Sequence, residues 1–307
     1  MAAVSIGIPV FNGARFLATS LESLVAQTYE DIEFFISDNG STDGTEEICR
    51  EFAARDPRIR YFRADANQGA SWNFRNVAHQ TTGRYFKWAT HDDLLAPNYI
   101  ARCVDVLELT DERVALVYPR TIIIDEDGDP VREYVDNLDI RDPTPHERLC
   151  RLVRNLVMSN ASFGLIRRSA IERSRLLDTF PSADYVMMAE FAMLGEFWEI
   201  PEFLFYRREH PGMSRAAHRT PAEAAEWFKP GTGVSSGRDV NESWRLFVEH
   251  LRSIGAMPMD TVERARCYRT FFPIWFRRHW RRMLKEPLGL DSSGGLLRRR
   301  GPSARTT

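Results

Sequence analysis

The 307-residue sequence has few cysteines, no marked excess of charge and no long apolar run. Its four cysteines, Cys49, Cys103, Cys150 and Cys267, form no C-x-x-C pair. This spacing argues against a zinc or redox motif and fits a reducing compartment. The formal net charge of −2 gives no overall field to attract nucleic acid. No run reaches the roughly 20 apolar residues that span a bilayer, and no signal peptide is recognisable. We therefore expect a cytoplasmic globular protein.

Short apolar runs alternate with helical patterns over the first 90 residues. Strands are predicted at 4–10, 32–36, 59–62 and 85–88, and helices at 14–27, 43–52 and 71–80. Strict alternation predicts a mostly parallel sheet covered by helices on both faces. Ligands bind such sheets outside the carboxyl ends of the strands. We therefore expect a site built from the loops at 11–13, 38–44, 65–69 and 91–95.

The second half of the chain has a less regular pattern. Strands are predicted at 115–118, 121–124, 163–166 and 203–206, and helices at 149–156 and 185–194, with an acidic loop at 136–145. A glycine-rich loop at 231–237 precedes a helical pattern that continues to about residue 285. We expect an α/β unit over 1–215, a helical segment over 216–290 and a disordered tail over 291–307.

An acidic, glycine-containing turn follows the second predicted strand. Asp38 stands at the end of that strand, where a carboxylate can accept hydrogen bonds from a base or a ribose. Asp43 is predicted to cap the following helix, with Glu46 as its capping-box partner. A plain turn with an N-cap explains Asp43 but does not require Asp38, so both interpretations stay open.

His91, Asp92 and Asp93 follow the fourth predicted strand. Adjacent carboxylates repel each other unless a cation or solvent intervenes. Mg²⁺ and Mn²⁺ prefer oxygen ligands, often one or two carboxylates plus substrate phosphates. The alternative is that Asp93 caps a helix near Pro97 while Asp92 is solvated. An isolated Asp-Asp pair does not decide between them.

The order and spacing of these motifs resemble family-2 glycosyltransferases with the GT-A fold. The matching segments are 4–16, 37–45, 67–73, 83–97 and 182–214, so the resemblance spans residues 4 to 215. It implies a mostly parallel α/β sheet flanked by helices, with a helical C-terminal extension. It also implies that a nucleobase pocket is lined by Pro9, Val10, Asn12 and Asp38, and that Asn67 and Gly69 lie near the base and ribose.

The same resemblance implies a metal site and a catalytic base. Asp92 matches the carboxylate that binds Mg²⁺ or Mn²⁺ on the donor diphosphate, with Asp93 as a secondary ligand. His91 stands where many members have another Asp; a neutral imidazole still permits ribose binding. Asp184 is the candidate base, because Ala183 replaces the first acid of the usual pair. Glu190, or a role for Asp184 as a helix cap, is the alternative.

A Tyr-Arg-x-x-His pattern begins at Tyr206 and also matches the family. Arg207 and His210 are therefore candidates for contacts with the diphosphate or the acceptor, and a solvated surface turn is the alternative. The resemblance implies inverting transfer of a sugar from a nucleoside-diphosphate sugar to a hydroxyl of a saccharide or lipid-linked acceptor, in cell-surface polysaccharide or glycolipid synthesis. Rival interpretations are a degenerate nucleotide-sugar-binding subunit and a sugar-1-phosphate nucleotidyltransferase. No G-x-G-x-x-G follows the first strand, which argues against a dehydrogenase.

Residues 264–285 combine basic and aromatic side chains, and every charged residue among them is an arginine or lysine. A basic helix with aromatic residues can lie on an anionic membrane surface. We therefore expect either peripheral contact with the inner face of the membrane or a helix that packs on the α/β unit with its arginines solvated or paired.

Overall fold

The computed structural model describes residues 2–213, 221–230 and 242–286. The strands are β1 (Val4–Val10), β2 (Ile32–Asp38), β3 (Ile59–Arg63), β4 (Tyr85–Trp88), β5 (Leu94–Leu95), β6 (Val114–Ile124), β7 (Pro130–Tyr134), β8 (Leu165–Arg167) and β9 (Glu196–Arg208). The helices are α1 (Ala14–Val25), α2 (Thr45–Arg55), α3 (Ala70–His79), α4 (Tyr99–Leu109), α5 (Pro145–Asn155), α6 (Arg168–Arg173), α7 (Ala183–Leu194), α8 (Pro221–Phe228), α9 (Glu242–Ala256) and α10 (Thr261–Lys285), with a 3-10 helix at Asn160–Phe163. The loop predicted at 231–237 and the tail predicted at 291–307 lie outside the described residues.

One nine-stranded sheet organises the α/β unit, in the order β3-β2-β1-β4-β8-β6-β9-β5, with β7 paired to β6. The strands β3, β2, β1 and β4 are parallel, as the alternation of strands and helices predicts. Every residue of β1 and β4 is buried, because helices cover both faces of the sheet. The expected α/β architecture with helices on both faces is confirmed.

The second half differs from its prediction in three places. The two strands predicted at 115–118 and 121–124 are one strand, β6, which continues through Pro119 and pairs with β9 with irregular register around Arg120. The strand β7 was not predicted, and its side chains are largely exposed, so it carries no apolar pattern. Phe163, predicted to begin a strand, ends a 3-10 helix instead.

Three predicted helix caps differ from the structure. Gly44 is the N-cap of α2, so the prediction of Asp43 is one residue early, although Asp43 Oδ1 still accepts a hydrogen bond from Thr45 N at 3.0 Å. Asn98 caps α4, which excludes Asp93 as its cap. Ser182 caps α7, which excludes the same role for Asp184.

The C-terminal helices share a hydrophobic core with the α/β unit. Phe247 of α9 and Phe271, Trp275 and Met283 of α10 belong to the same buried cluster as side chains of α5 and α7. Arg175 adds polar links to this contact. Its guanidinium binds Glu190 of α7 at 2.7 Å and Glu249 of α9 at 3.1 Å. Within the described residues, no helix is both long enough and apolar enough to cross a membrane.

Candidate active site

The turn after β2 is held by Asp38, whose side chain is completely buried. Asp38 Oδ1 accepts a hydrogen bond from Ser41 N at 2.9 Å, and Oδ2 accepts one from Tyr61 Oη at 2.9 Å. Arg63 Nε lies 3.4 Å from the same Oδ2. Both carboxylate oxygens therefore bind groups of the protein itself, and Asp38 shapes the turn at the end of β2.

The loop after β1 is fastened to that turn by hydrogen bonds. Asn12 N donates to Ser41 Oγ at 2.9 Å, and Asn12 Oδ1 accepts from Thr42 N at 2.8 Å. Asn12 is exposed and has a positive φ of 50°, whereas Pro9 and Val10 are buried within β1. Of these three predicted nucleobase contacts, only Asn12 has an exposed side chain in this structure.

Asn39, which the sequence did not single out, connects the turn after β2 to the loop at 67–69. Its Nδ2 donates to Asn67 Oδ1 at 2.9 Å and to the Gly69 carbonyl at 3.1 Å, and its Oδ1 accepts from Gln68 N. Asn39 is buried although it occupies a turn. Nothing in the sequence distinguishes it from an ordinary turn residue.

The acidic pair after β4 is bound by residues that follow or end β9. His210 Nε2 lies 3.0 Å from Asp92 Oδ2. Asp93 Oδ1 accepts a hydrogen bond from Arg208 N at 2.9 Å, and Asp93 Oδ2 accepts one from Thr90 Oγ1 at 2.5 Å. The structure therefore brings the adjacent residues Asp92 and Asp93 together with His210, which lies more than 110 residues later in sequence.

The two carboxyls of this pair have pKa values shifted in opposite directions. Burial favours a higher pKa for Asp92, but the hydrogen bond with His210 and the charge of His91 outweigh it and hold that pKa below its ordinary value. Burial and the neighbouring charge of Asp92 raise the pKa of Asp93. Asp92 is thus the carboxyl that remains ionised and available to a cation.

The donor atoms fit a divalent cation held by one carboxylate. The Asp92 side chain keeps 15% of its surface exposed, whereas both oxygens of Asp93 already accept hydrogen bonds. Among the described residues, no group of three or more His, Cys, Asp or Glu side chains is arranged to hold a metal. Sites of the Mg²⁺ type commonly use one or two carboxylates and complete the shell with water and substrate phosphates. His91 packs against the loop after β1, because a Cβ on Gly13 would lie 2.7 Å from its ring.

Asp184 is the second residue of α7 and is partly buried. Burial raises the pKa of its carboxyl, and the neighbouring Ser159 hydroxyl and Arg207 guanidinium oppose that rise. A carboxyl with a raised pKa is a better proton acceptor than an ordinary surface aspartate. The alternative base, Glu190, is fully buried and engaged by Arg175 at 2.7 Å and by Ser253 Oγ at 2.6 Å.

Arg207 is the cation that these acids share. Its charge partly opposes the burial that raises the pKa values of Asp93, Asp136 and Asp184, so all three carboxyls lie within reach of its electrostatic influence. The guanidinium Nη1 also donates a hydrogen bond to Asn160 Oδ1. Arg207 is half-buried and hydrogen-bonded, so it is not a fully solvated residue of a surface turn.

Asp136 belongs to this neighbourhood although the sequence placed it in an acidic loop. It is 4% exposed, burial raises its pKa to about 7, and its Oδ1 has no hydrogen-bond partner among the described residues. Its Oδ2 lies 3.4 Å from Asn160 Nδ2. A signal was present in the sequence, because Asp136, Leu138 and Ile140 alternate with exposed or half-buried residues, as in an edge strand.

Comparison with known proteins identifies the family. The family model for glycosyl transferase family 2 matches residues 5–175, and the chain belongs to that family. An uncharacterised glycosyltransferase of Rickettsia felis is 36% identical over 131 residues, which cover 42% of this chain and 21% of that protein. The chain thus spans about a fifth of the length of that relative.

Solved structures with low sequence identity share the fold. S. aureus TarS 1–349, crystallised in complex with UDP-GlcNAc, has a TM-score of 0.62 at 13% identity and covers 89% of this chain and 72% of that one. The mannosyltransferase PcManGT of Pyrobaculum calidifontis, in complex with GDP-Man and Mn²⁺, has a TM-score of 0.53 at 16% identity, with 94% and 86% covered. These similarities confirm the GT-A architecture.

Proposed function

We propose that this chain is an inverting glycosyltransferase that moves a sugar from a nucleoside-diphosphate sugar to an acceptor hydroxyl. The observation that carries the proposal is the pairing of Asp92 with His210 in one neighbourhood with Arg207 and Asp184. Such an arrangement offers cationic groups to a diphosphate and a carboxylate base to an acceptor. Family membership supports transfer over a nucleotidyltransferase, and both solved relatives bind nucleotide sugars.

The proposed chemistry needs one proton acceptor and a stabilised leaving group. Asp184 accepts the proton of the acceptor hydroxyl as its oxygen forms a bond to the anomeric carbon from the face opposite the diphosphate. The bond between the anomeric carbon and the diphosphate oxygen breaks, and the electron pair leaves with the nucleoside diphosphate. Arg207 and His210 stabilise the negative charge on that leaving group.

We propose Asp92 as the protein ligand of a divalent cation, Mg²⁺ or Mn²⁺, with Asp93 beside it as a hydrogen-bonded support. When bound, the cation neutralises charge on the leaving diphosphate. The partial exposure of the Asp92 side chain supports this assignment, as does the Mn²⁺ in the mannosyltransferase structure.

We propose that the loops after β1, β2 and β3 hold the nucleoside. Asn12 is the exposed member, and Asp38 keeps the turn in shape through Ser41 and Tyr61. Pro9 and Val10 contribute the buried strand below, and Asn67 with Gly69 forms the opposite wall near the base and ribose. His91, which packs on Gly13, faces the ribose.

We propose a saccharide or lipid-linked saccharide as the acceptor, in cell-surface polysaccharide or glycolipid synthesis. The four cysteines are all unpaired, which supports a cytoplasmic location. The catalytic unit is assigned to residues 1–215 and the helical segment to 216–290, although the two share one hydrophobic core.

Replacing Asp184 tests the proposal. Asp184→Asn should lower turnover by roughly 10²- to 10⁴-fold, because the amide cannot accept the acceptor proton. The variant should keep Mn²⁺-dependent thermal stabilisation by whichever of UDP, GDP or dTDP stabilises the wild type. Asp105→Asn, on the exposed side of α4, is the matched control and should retain wild-type turnover.

Three outcomes would contradict the proposal. Full turnover by Asp184→Asn would remove Asp184 as the base. Nucleotide binding by a wild-type chain that turns over no donor would favour the degenerate binding subunit. No stabilisation by any of the three nucleotides would argue against the donor site itself.

A further inference from the structure

The long helix α10 has three parallel edges with different surroundings. Residues four apart lie on the same face of a helix, in a row that turns slowly around it. One row, Cys267, Phe271, Trp275, His279 and Met283, is buried against the core. The next row, Phe272, Phe276, Trp280 and Leu284, is 40%, 37%, 48% and 62% exposed. We call this second row the apolar edge.

Each of the last three residues of the apolar edge is followed by a basic residue. These basic residues form an exposed row with Arg269, which lies eight residues before the first of them. We call this row, Arg269, Arg277, Arg281 and Lys285, the basic edge. None of these four side chains has a hydrogen bond or ion pair with another residue that the structure describes. Arg281 does lie over the Trp280 ring, 5.3 Å from its centroid. The basic edge is therefore free to meet an anionic partner.

Other arginines of α10 are occupied within the protein. Arg278 Nη1 donates to the Val153 carbonyl at 2.6 Å, at the end of α5. Arg282 binds Glu242 at 3.0 Å and Glu286 at 3.1 Å. The helix thus separates arginines that hold the fold from those that point outwards. The packing on the α/β unit agrees with the second of the two sequence expectations, and it leaves the outward basic side chains exposed to solvent.

The helix α9 extends the exposed apolar surface. Trp244 and Val248 are each 39% exposed. Phe247, between them in sequence, lies with its ring centroid 5.3 Å from those of both Phe272 and Phe276. Exposed apolar surface rimmed by polar groups marks an interaction site rather than ordinary surface.

We propose that the apolar and basic edges of α10, with Trp244 and Val248, dock this protein on an anionic lipid bilayer with the helix parallel to the membrane plane. Trp and Phe are the side chains that favour the head-group region, and arginine and lysine pair with anionic lipid phosphates. No Asp or Glu occurs among residues 264–285 to weaken this attraction. The apolar edge from 272 to 284 extends about 18 Å at 1.5 Å per residue, a suitable length for a surface helix.

Vesicle sedimentation with the full-length chain tests this proposal. Deleting α10 would not be informative, because its buried row is part of the core. The wild type should sediment with vesicles of phosphatidylcholine containing phosphatidylglycerol, and much less with phosphatidylcholine alone. The double variant Arg277→Glu/Arg281→Glu should bind the anionic vesicles at least about tenfold more weakly, since it replaces two charges attracted to the surface by two that are repelled.

Two control variants separate this surface from general effects. Arg75→Glu/Arg173→Glu changes the net charge equally at exposed positions of α3 and α6 and should bind like the wild type. Phe276→Ser/Trp280→Ser should weaken binding to anionic vesicles. By contrast, Leu109→Ser/Val131→Ser, at positions 88% and 57% exposed, should not.

Equal binding of the Arg277/Arg281 variant and its charge-matched control would overturn the proposal. So would failure of the wild type to sediment with anionic vesicles. Loss of a dimer in the apolar-edge variants, with vesicle binding unchanged, would assign the surface to a second copy of the chain instead. Each measurement is independent of donor turnover, so it does not depend on the transferase proposal.

Discussion

The acidic groups on the two sides of the sheet's carboxyl edge are held in different ways. After β2, both oxygens of Asp38 accept hydrogen bonds from neutral donors of the protein, and Arg63 lies beside them. On the other side, Asp93 after β4, Asp136 after β7 and Asp184 in α7 all interact with the charge of Arg207, and Asp92 lies beside Asp93; all four carboxyls have shifted pKa values.

The difference indicates that the β2 side determines the shape of the site, whereas the side around Arg207 determines its charge. On the β2 side, the hydrogen-bonding groups of Asp38 are paired within the protein, so the turn keeps the same shape whether or not a ligand is bound. The side around Arg207 holds four carboxyls, and the pKa values of three of them, Asp93, Asp136 and Asp184, are raised chiefly by burial. Such a cluster either retains a proton or gains a cation, so it is the side where ligands and pH are expected to act.

Removing the shared cation should have the largest effect. Arg207→Ala should lower kcat by roughly 10²- to 10³-fold, because Asp93 and Asp184 lose their counter-charge and the leaving diphosphate loses a donor. Steady-state kinetics with a saturating donor measures this loss. Arg132→Ala is the control, since Arg132 pairs with Glu209 on an exposed surface and should leave kcat within twofold. A wild-type kcat in Arg207→Ala would contradict the assignment of the chemistry to the side of the sheet around Arg207.

Asp136 allows a test through stability rather than turnover. Its folded-state pKa of about 7 lies above the ordinary value of 3.8, so in that window the folded protein keeps a proton that the unfolded chain has released. Stability from this group is therefore complete below about pH 4 and is lost as pH rises towards 7. The slope is roughly 1.4 kcal/mol per pH unit.

Asp136→Asn removes that dependence. Between pH 5 and pH 7, the wild type should lose roughly 2 kcal/mol of unfolding free energy relative to this variant. Urea unfolding at both pH values provides the measurement, with Asp105→Asn as the exposed control. A parallel pH dependence in wild type and Asp136→Asn would show that Asp136 ionises as it does in the unfolded chain.

The smallest effect is expected on the β2 side. Asp38→Asn keeps an acceptor for Ser41 N but turns an amide donor towards Tyr61 or Arg63, which loosens the turn. The donor KM should rise about tenfold, equivalent to about one hydrogen bond, while kcat stays within twofold. A fall in kcat comparable to that of Arg207→Ala would place Asp38 in the chemistry rather than in the framework.

The parallel half of the fold was predictable because its signals are local. Short, mostly apolar runs in β1 and β4, bounded by turn residues and amphipathic helices, predict buried strands without reference to distant partners. The second half depends on long-range pairing. Pro119 separates two apolar runs in sequence, and the strand continues through it only because β9 pairs on one side with an adjusted register.

Site residues that belong to a motif within one segment could be predicted from the sequence. Residues whose properties depend on burial by distant segments could not. The His91-Asp92-Asp93 cluster and His210 could be named from sequence, and the structure brings Asp92 and His210 within 3.0 Å. Asn39 carries no local signal, and the alternation of Asp136 with Leu138 and Ile140 lies in a stretch that the acidic residues made resemble a loop. Each becomes significant only through residues more than 20 positions away, Asn160 for Asp136 and the 67–69 loop for Asn39.

Gly69 packs closely against a segment that follows it by more than 150 residues. Its φ is 90°, and a Cβ at that position would lie 2.3 Å from the carbonyl oxygen of Phe228 and 2.7 Å from Pro230 Cδ. Two separate features therefore favour glycine at position 69: the positive φ of its backbone and the close approach of residues 228 and 230. In a homologue that lacks that segment, a side chain at this position would no longer collide with it. The positive φ would then be the remaining reason for glycine. The range of residues accepted at position 69 in related sequences should therefore depend on whether the segment around Phe228 is present.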